Sequence, residues 1–275
     1  MKNKASILIH SLLIFLVILW LMPVYSSLIA AFKGLDEFAL TPFYSIPQKF
    51  VFFQNVRDTY SEYRLHYHLF SSAIYAGAGS LLAIVFSSMA AYSLIRLKPK
   101  FNFLLFIIIY SGTIFPFQMY LIPLHKMFNA LDLYNTRSGM ILIYTAITIP
   151  FSLFVYRGFF TTIPKSIEDA AIIDGCGPIS VFVKIFIPQA AAPTAVVALF
   201  QMSWIWNDLL FGLVLSRSEY VRPIMVGMAA MSGIGGGSRV YQMTGVLTTS
   251  IPTILLFIIL KKYFISGMSS VASMK

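Results

Sequence analysis

Only ten Asp and Glu occur among the 275 residues, and three of them share one short stretch. Ser166, Ile167, Glu168, Asp169, Ala170, Ala171 and Asp174 lead into Gly175. Ser166-x-x-Asp169 has the spacing of a capping box, with Pro164 just upstream. Glu168 and Asp169 fall in the predicted first turn, where acids complement the positive end of the helix dipole. Gly175 is placed to stop that helix. Pro178 can open a second short helix, and Pro188 is expected to close it. The role open to such a segment is mechanical, because a short capped helix is a stiff lever.

Covalent and metal chemistry find no such constellation. No G-x-x-x-x-G-K-[ST] occurs, and the cluster Gly233, Gly235, Gly236 and Gly237 lacks the following Lys of a phosphate loop. His66 and His68 are two apart and share no helix face. The single cysteine, Cys176, excludes an internal disulfide and a multi-cysteine metal site. No Ser-His-Asp set can converge. The sequence therefore predicts no catalytic residue, no metal site and no cofactor bound by this chain.

A second polar group stands inside an apolar run: Gln201, Trp204, Trp206, Asn207 and Asp208. An acid within a span is costly and faces a cavity or a partner. Aromatic faces with amide and carboxylate groups suit sugars. The other reading puts Asp208 near the outer interface, with the tryptophans in an aromatic belt.

The elements that must position these groups are set by composition. Hydrophobic residues make up 58% and charged residues 11%, against about 25% charged in soluble domains. The surrounding solvent is therefore lipid. The net charge is +10, with Lys and Arg at the ends of apolar runs rather than in a long basic tract. Acidic lipid accounts for that excess, and nucleic acid is not expected.

Six spans are predicted: residues 7–32 (a retained span, not a cleaved signal), 69–95, 101–128, 138–160, 190–216 and 243–260. Pro116 and Pro123 should kink or shorten the third. Gly77, Gly79, Ser80, Ser87, Ser88 and Ala90 in the second allow close helix approach. With the amino terminus inside, 11 of the 20 Lys and Arg lie inside and 9 outside. The inside cations sit in short dense segments such as Arg96–Lys100, which sets the orientation. Both termini and the 164–189 loop are then cytoplasmic.

The residues Glu168-Asp169-Ala170-Ala171-x-x-Asp174-Gly175, with Phe182, Ile185, Ile187-Pro188 and Pro193, resemble the EAA loop of ABC-transporter permease subunits. The stretch is most similar to the second permease of maltose-type and multiple-sugar-type importers. Their pattern usually runs Glu-Glu-Ala-Ala-x-x-Asp-Gly-Ala, so Asp169 and Cys176 are departures.

The resemblance implies an all-α polytopic fold of six transmembrane helices with a cytoplasmic coupling-helix loop. Residues 1–68 would hold the first helix and an external loop, 69–265 the permease core, and 266–275 a short cytoplasmic tail. It also implies a second homologous permease, two ABC ATPase subunits that carry ATP and Mg, an extracellular solute-binding protein and a sugar substrate. Ser166 to Gly175 would dock on the ATPase, with Glu168 and Asp169 at the rim. Gln201 to Asp208 would line the path. Four glycines between Gly233 and Gly237 permit turns and close approach to another backbone, so this external segment reads either as a contact for the binding protein or as a flexible connector. The alternative is a self-sufficient secondary transporter or channel in the cell membrane.

Overall fold

The computed structural model describes residues 2–231 and 238–272, and every regular element among them is helical. In chain order the helices are α1 (Lys2–Phe32), α2 (Leu35–Leu40), α3 (Phe52–Glu62) and α4 (Leu65–Tyr92). Next come α5 (Asn102–Ser111), α6 (Leu121–Ala130), α7 (Arg137–Phe160), α8 (Lys165–Ile173) and α9 (Pro178–Val181). The last are α10 (Ile187–Gln189), α11 (Ala191–Trp206), α12 (Leu210–Leu215), α13 (Ile224–Ala230) and α14 (Arg239–Ala272). Two π-helical turns, Ser93–Leu97 and Phe182–Phe186, extend α4 and α9.

Four helices among the described residues are long and apolar enough to cross a membrane: Ser6–Phe32, Leu65–Leu97, Arg137–Phe160 and Arg239–Lys262. A fifth appears if Pro178–Gln189 and Ala191–Trp206, bent by 73°, count as one broken span. The third predicted span is not a single helix. Its first part, α5, has ten residues, about 15 Å against a hydrocarbon core of about 30 Å. The chain turns at residues 112–116, and Pro116 starts a 3-10 turn ahead of α6. Pro123 falls in the first turn of α6, where its missing N–H costs nothing.

The chain divides into two compact units, Met1–His66 with Gly227–Ile251, and Tyr67–Val226 with Pro252–Lys275. In the first, α1 is apolar all round, as a membrane span is, and its most apolar window buries nothing against this chain. Lys33 ends it, fully buried. Its ammonium donates to Thr41 Oγ1 (2.9 Å), the Pro42 carbonyl (2.8 Å) and Ser45 Oγ (2.7 Å), using all three protons to shape the loop after α2. Asn55 Nδ2 donates to the carbonyls of Ala31 and Lys33, tying α3 to the end of α1.

In the second unit, α4, α7 and α11 pack closely. A Cβ at Gly79 would lie 3.2 Å from Tyr144 Cβ and 3.2 Å from Ile205 Cδ1, so this position takes no side chain without displacing both. Ser80, and further along α4 Ser87 and Ser88, are also buried, as the small-residue pattern predicts. At one end of the unit, Tyr92, Leu153, Tyr156, Phe160, Ile163, Ala171, Val181 and Phe186 form one hydrophobic cluster. That cluster carries the loop of interest.

Candidate functional site

Helix α8 is built into this cluster instead of hanging from the spans. Its N-cap is Pro164 (φ −60°, ψ 137°), and no side chain caps it. The predicted capping box does not form: Ser166 lies inside the helix and Asp169 falls beyond the first turn. The cause is the earlier start. Proline has its φ already set and no N–H to satisfy, so the first turn closes on the Pro164 carbonyl, which accepts from Ile167 N–H at 3.3 Å.

Packing of α8 on the cluster decides what each side chain faces. Glu168 and Ala171 are buried, while Ser166, Ile167, Asp169, Ala170, Ile173 and Asp174 are exposed. Ile173 is 86% exposed and Ile179, just beyond the link, 81%. Ile167, Ala170 and Ile173 recur at three-residue spacing, so one face of α8 is an uncovered apolar strip. Asp169 lies 3.8 Å from Lys165 in an exposed pair. The acid follows the base, the weaker order for such a pair, and exposure leaves it worth little.

Glu168 departs from the expectation that it meets the ATPase rim. It turns inward, and its Oε2 lies 3.4 Å from Nε of Arg96, an ion pair without hydrogen-bond alignment.

The predicted stop holds. Gly175 has φ +82°. Its N–H donates to the Ile172 carbonyl (3.0 Å), and Cys176 N–H donates to the Ala171 carbonyl (2.9 Å). These two bonds make a complete Schellman closure. Pro178 opens α9 after Gly177, as predicted. Pro188 does not close the second helix. The π turn before it bonds Ile187 N–H to the Phe182 carbonyl, and this register shift accommodates a residue with no N–H. The helical run continues to Gln189 and bends at Ala190.

The second polar group lies where the fifth predicted span breaks. That span is not continuous, because α11 ends at Trp206 and α12 begins at Leu210. Asp208 sits in the break. Its Oδ2 accepts from Tyr144 Oη (2.9 Å) and Gly212 N–H (3.2 Å), and its Oδ1 from Phe211 N–H (3.4 Å). The carboxylate thus serves the open amino end of α12. Asn207 is exposed and donates to the Ser203 carbonyl. Trp206 is buried.

Two adjoining cavities share Phe117, Phe200 and Trp204. One, of about 330 Å³, adds Phe115, Tyr120 and Phe151 with the polar groups of Thr113, Thr148 and Gln201. The other, of about 500 Å³, adds Ser203, Asn207 and Asp208. Both volumes fall within the roughly 300–1,000 Å³ of small-molecule sites. Gln201, Trp204, Asn207 and Asp208 therefore open on one aromatic region, and Trp206 does not. Gly233, Gly235, Gly236 and Gly237 lie outside the described residues.

Residues 83–264 match the family described as the binding-protein-dependent transport system inner membrane component. The chain belongs to this family. A probable ABC transporter permease protein of Pyrococcus horikoshii is 34% identical over 274 residues, 98% of this chain and 97% of that protein. The melibiose/raffinose/stachyose import permease protein of Bacillus subtilis is 33% identical over 219 residues, 79% of each chain. A crystal structure of a bacterial ABC transporter that imports the acidic polysaccharide alginate contains a chain of the same fold. Its TM-score is 0.83 at 20% identity, with 95% of this permease and 97% of that chain covered.

Sequence reasoning missed two residues that border the candidate sites. Arg96 was legible only as the first cation of a charged run. Tyr144, the partner of Asp208, carried no signal in a continuous apolar helix.

Proposed function

We propose that this permease subunit forms half of the translocation path of an ATP-driven importer of a sugar or oligosaccharide. The observation that carries the reading is the uncovered strip Ile167, Ala170 and Ile173 on a helix whose opposite face is anchored by Glu168 and Ala171. A stiff helix with an apolar outer face and a rim acid, Asp169, is a docking element for a groove. Its occupant is the ATPase. Two ATPase subunits bind ATP and Mg, a second homologous permease completes the path, and an extracellular solute-binding protein delivers the sugar.

Six spans underlie the reading, with α5 and α6 acting together as a broken third and α11 with α12 as a broken fifth. Both termini and α8 are cytoplasmic. Closure of the ATPase pair moves α8, and the spans rock between outward and inward access. The aromatic cavities at Gln201, Trp204, Asn207 and Asp208 belong to the substrate path. The sugar class draws support from the aromatic lining and from relatives named for oligosaccharide import. The Gly233–Gly237 segment contacts the binding protein.

The test is crosslinking from Ile173→Cys in a Cys176→Ala background, in membranes that hold the whole complex. Capture of the ATPase, altered by ATP, is the expected result. A probe that never captures it, while the complex remains assembled, overturns the docking role of α8.

A further inference from the structure

Arg96 lies where four elements converge. It belongs to the π turn after α4, and its side chain is 10% exposed. One terminal nitrogen, Nη2, donates to the carbonyl of Phe160, the last residue of α7, at 3.2 Å and also to that of Ile163. Nε faces Glu168 of α8 at 3.4 Å. The guanidinium stands 5.1 Å over the ring of Phe186 in the second π turn. Tyr92, one turn back, packs against Phe182 and Phe186 at 5.3 and 4.9 Å, so the two π turns face each other.

These contacts suit a planar fork and would not suit a point charge. The last carbonyls of α7 have no helical partner, and a cation placed there is favoured by the helix dipole. Glu168 is buried, so its charge needs a partner, and burial leaves the pair weakly screened by salt. The exposed Lys165–Asp169 pair cannot substitute. Between α7 and α8 run only residues 161–164, which are not helical.

We propose that Arg96 is a positioning residue that latches α8 to the ends of α4 and α7. Movement of α8 then passes to the spans instead of being absorbed in the 161–164 link. The inference rests on the coupling role of α8 proposed above. Arg96 touches neither ATP nor substrate and acts through Glu168 and the two carbonyls.

The test uses the whole complex in vesicles, with uptake and ATP hydrolysis measured on the same preparation. Arg96→Ala should still capture the ATPase but take up less substrate per ATP, by on the order of tenfold. Arg96→Lys should recover part of that ratio. Glu168→Gln should lower it, and adding Glu168→Gln to Arg96→Ala should lower it no further, because the two groups act as one unit. An unchanged ratio in Arg96→Ala overturns the latch. So does a fall of uptake and hydrolysis in equal proportion, which loss of folded protein alone produces. Additive losses in the double variant overturn the pairing. If Arg96→Ala does not reach the membrane, Arg96→Lys and Glu168→Gln carry the comparison, and wild-type ratios in both overturn it. A wild-type chain that captures no ATPase overturns the coupling reading and the latch together, whereas a coupled wild type beside a coupled Arg96→Ala overturns the latch alone.

Discussion

The hydroxyl of Tyr144 donates to Oδ2 of Asp208 at 2.9 Å, and both side chains are buried. This bond joins the third turn of α7 to the break between α11 and α12. Tyr144→Phe should lower the stability of the solubilised protein by about 1 kcal/mol, the scale of an interhelical hydrogen bond in a membrane. Asp208→Ala also strips the N–H groups of Phe211 and Gly212, so it should cost about 2 kcal/mol, the upper end for a lost cap. Thermal melting in detergent measures both. Equal melting of Asp208→Ala and wild type would show that the carboxylate does not hold the break.

Ser166 and Gly175 should behave oppositely under substitution. Ser166→Ala removes no cap and should change stability by less than about 0.5 kcal/mol, the range of neutral surface changes. Gly175→Val forces a β-branched residue to φ +82°, at a cost of about 1–2 kcal/mol. Nothing lies within 4 Å of a Cβ there, so the penalty is conformational and not steric crowding. Gly175→Val should reach the membrane yet lose uptake and substrate-stimulated ATP hydrolysis together. Full uptake by that variant would remove Ser166–Gly175 from the coupling mechanism.

Trp204 borders both cavities, whereas Trp206 borders neither. Trp204→Ala should therefore weaken substrate uptake more than Trp206→Phe at equal surface expression. Asn207→Ala, on the edge of the larger cavity, should alter apparent affinity with less effect on folding than Asp208→Ala. Concentration-dependent uptake with the cognate binding protein distinguishes these cases. Identical curves for Trp204→Ala and wild type would exclude the shared aromatic region from the path.

Lys33 binds three oxygens of the loop after α2. Lys33→Met keeps the stem and deletes the donors, leaving Thr41, Ser45 and the Pro42 carbonyl without that partner. Protease cleavage between residues 34 and 50 should become faster while the spans remain intact. The end of α2, just before that loop, reports topology. Leu40→Cys, in a Cys176→Ala background, should react with an impermeant thiol reagent from outside the cell. Reaction only from the cytoplasmic side would reverse the proposed orientation.

Features legible along the chain follow from local chemistry. Apolar content and span-length runs placed the chain in a membrane, because backbone polar groups there must bond within helices. The Schellman stop at Gly175 and the helix start at Pro178 were legible because each depends on one residue's allowed φ. The order Glu168 to Gly175 carried the family resemblance for the same reason: its spacing is contiguous.

Tertiary structure decided the facing of side chains. The sequence placed the cap of α8 at Ser166, with Pro164 only upstream, whereas the helix starts after Pro164. Packing of α8 on the cluster turned Glu168 toward Arg96, 72 residues away in the chain, and left Ile173 bare. The broken third span, the bend after Pro188 and the cap on α12 were also decided by packing. Before Pro188 the Ile187 N–H shifts to the Phe182 carbonyl; at α12 the freed N–H groups of Phe211 and Gly212 bond Asp208, which also accepts from Tyr144, 64 residues away. A continuous apolar run carries no mark of where such partners will be.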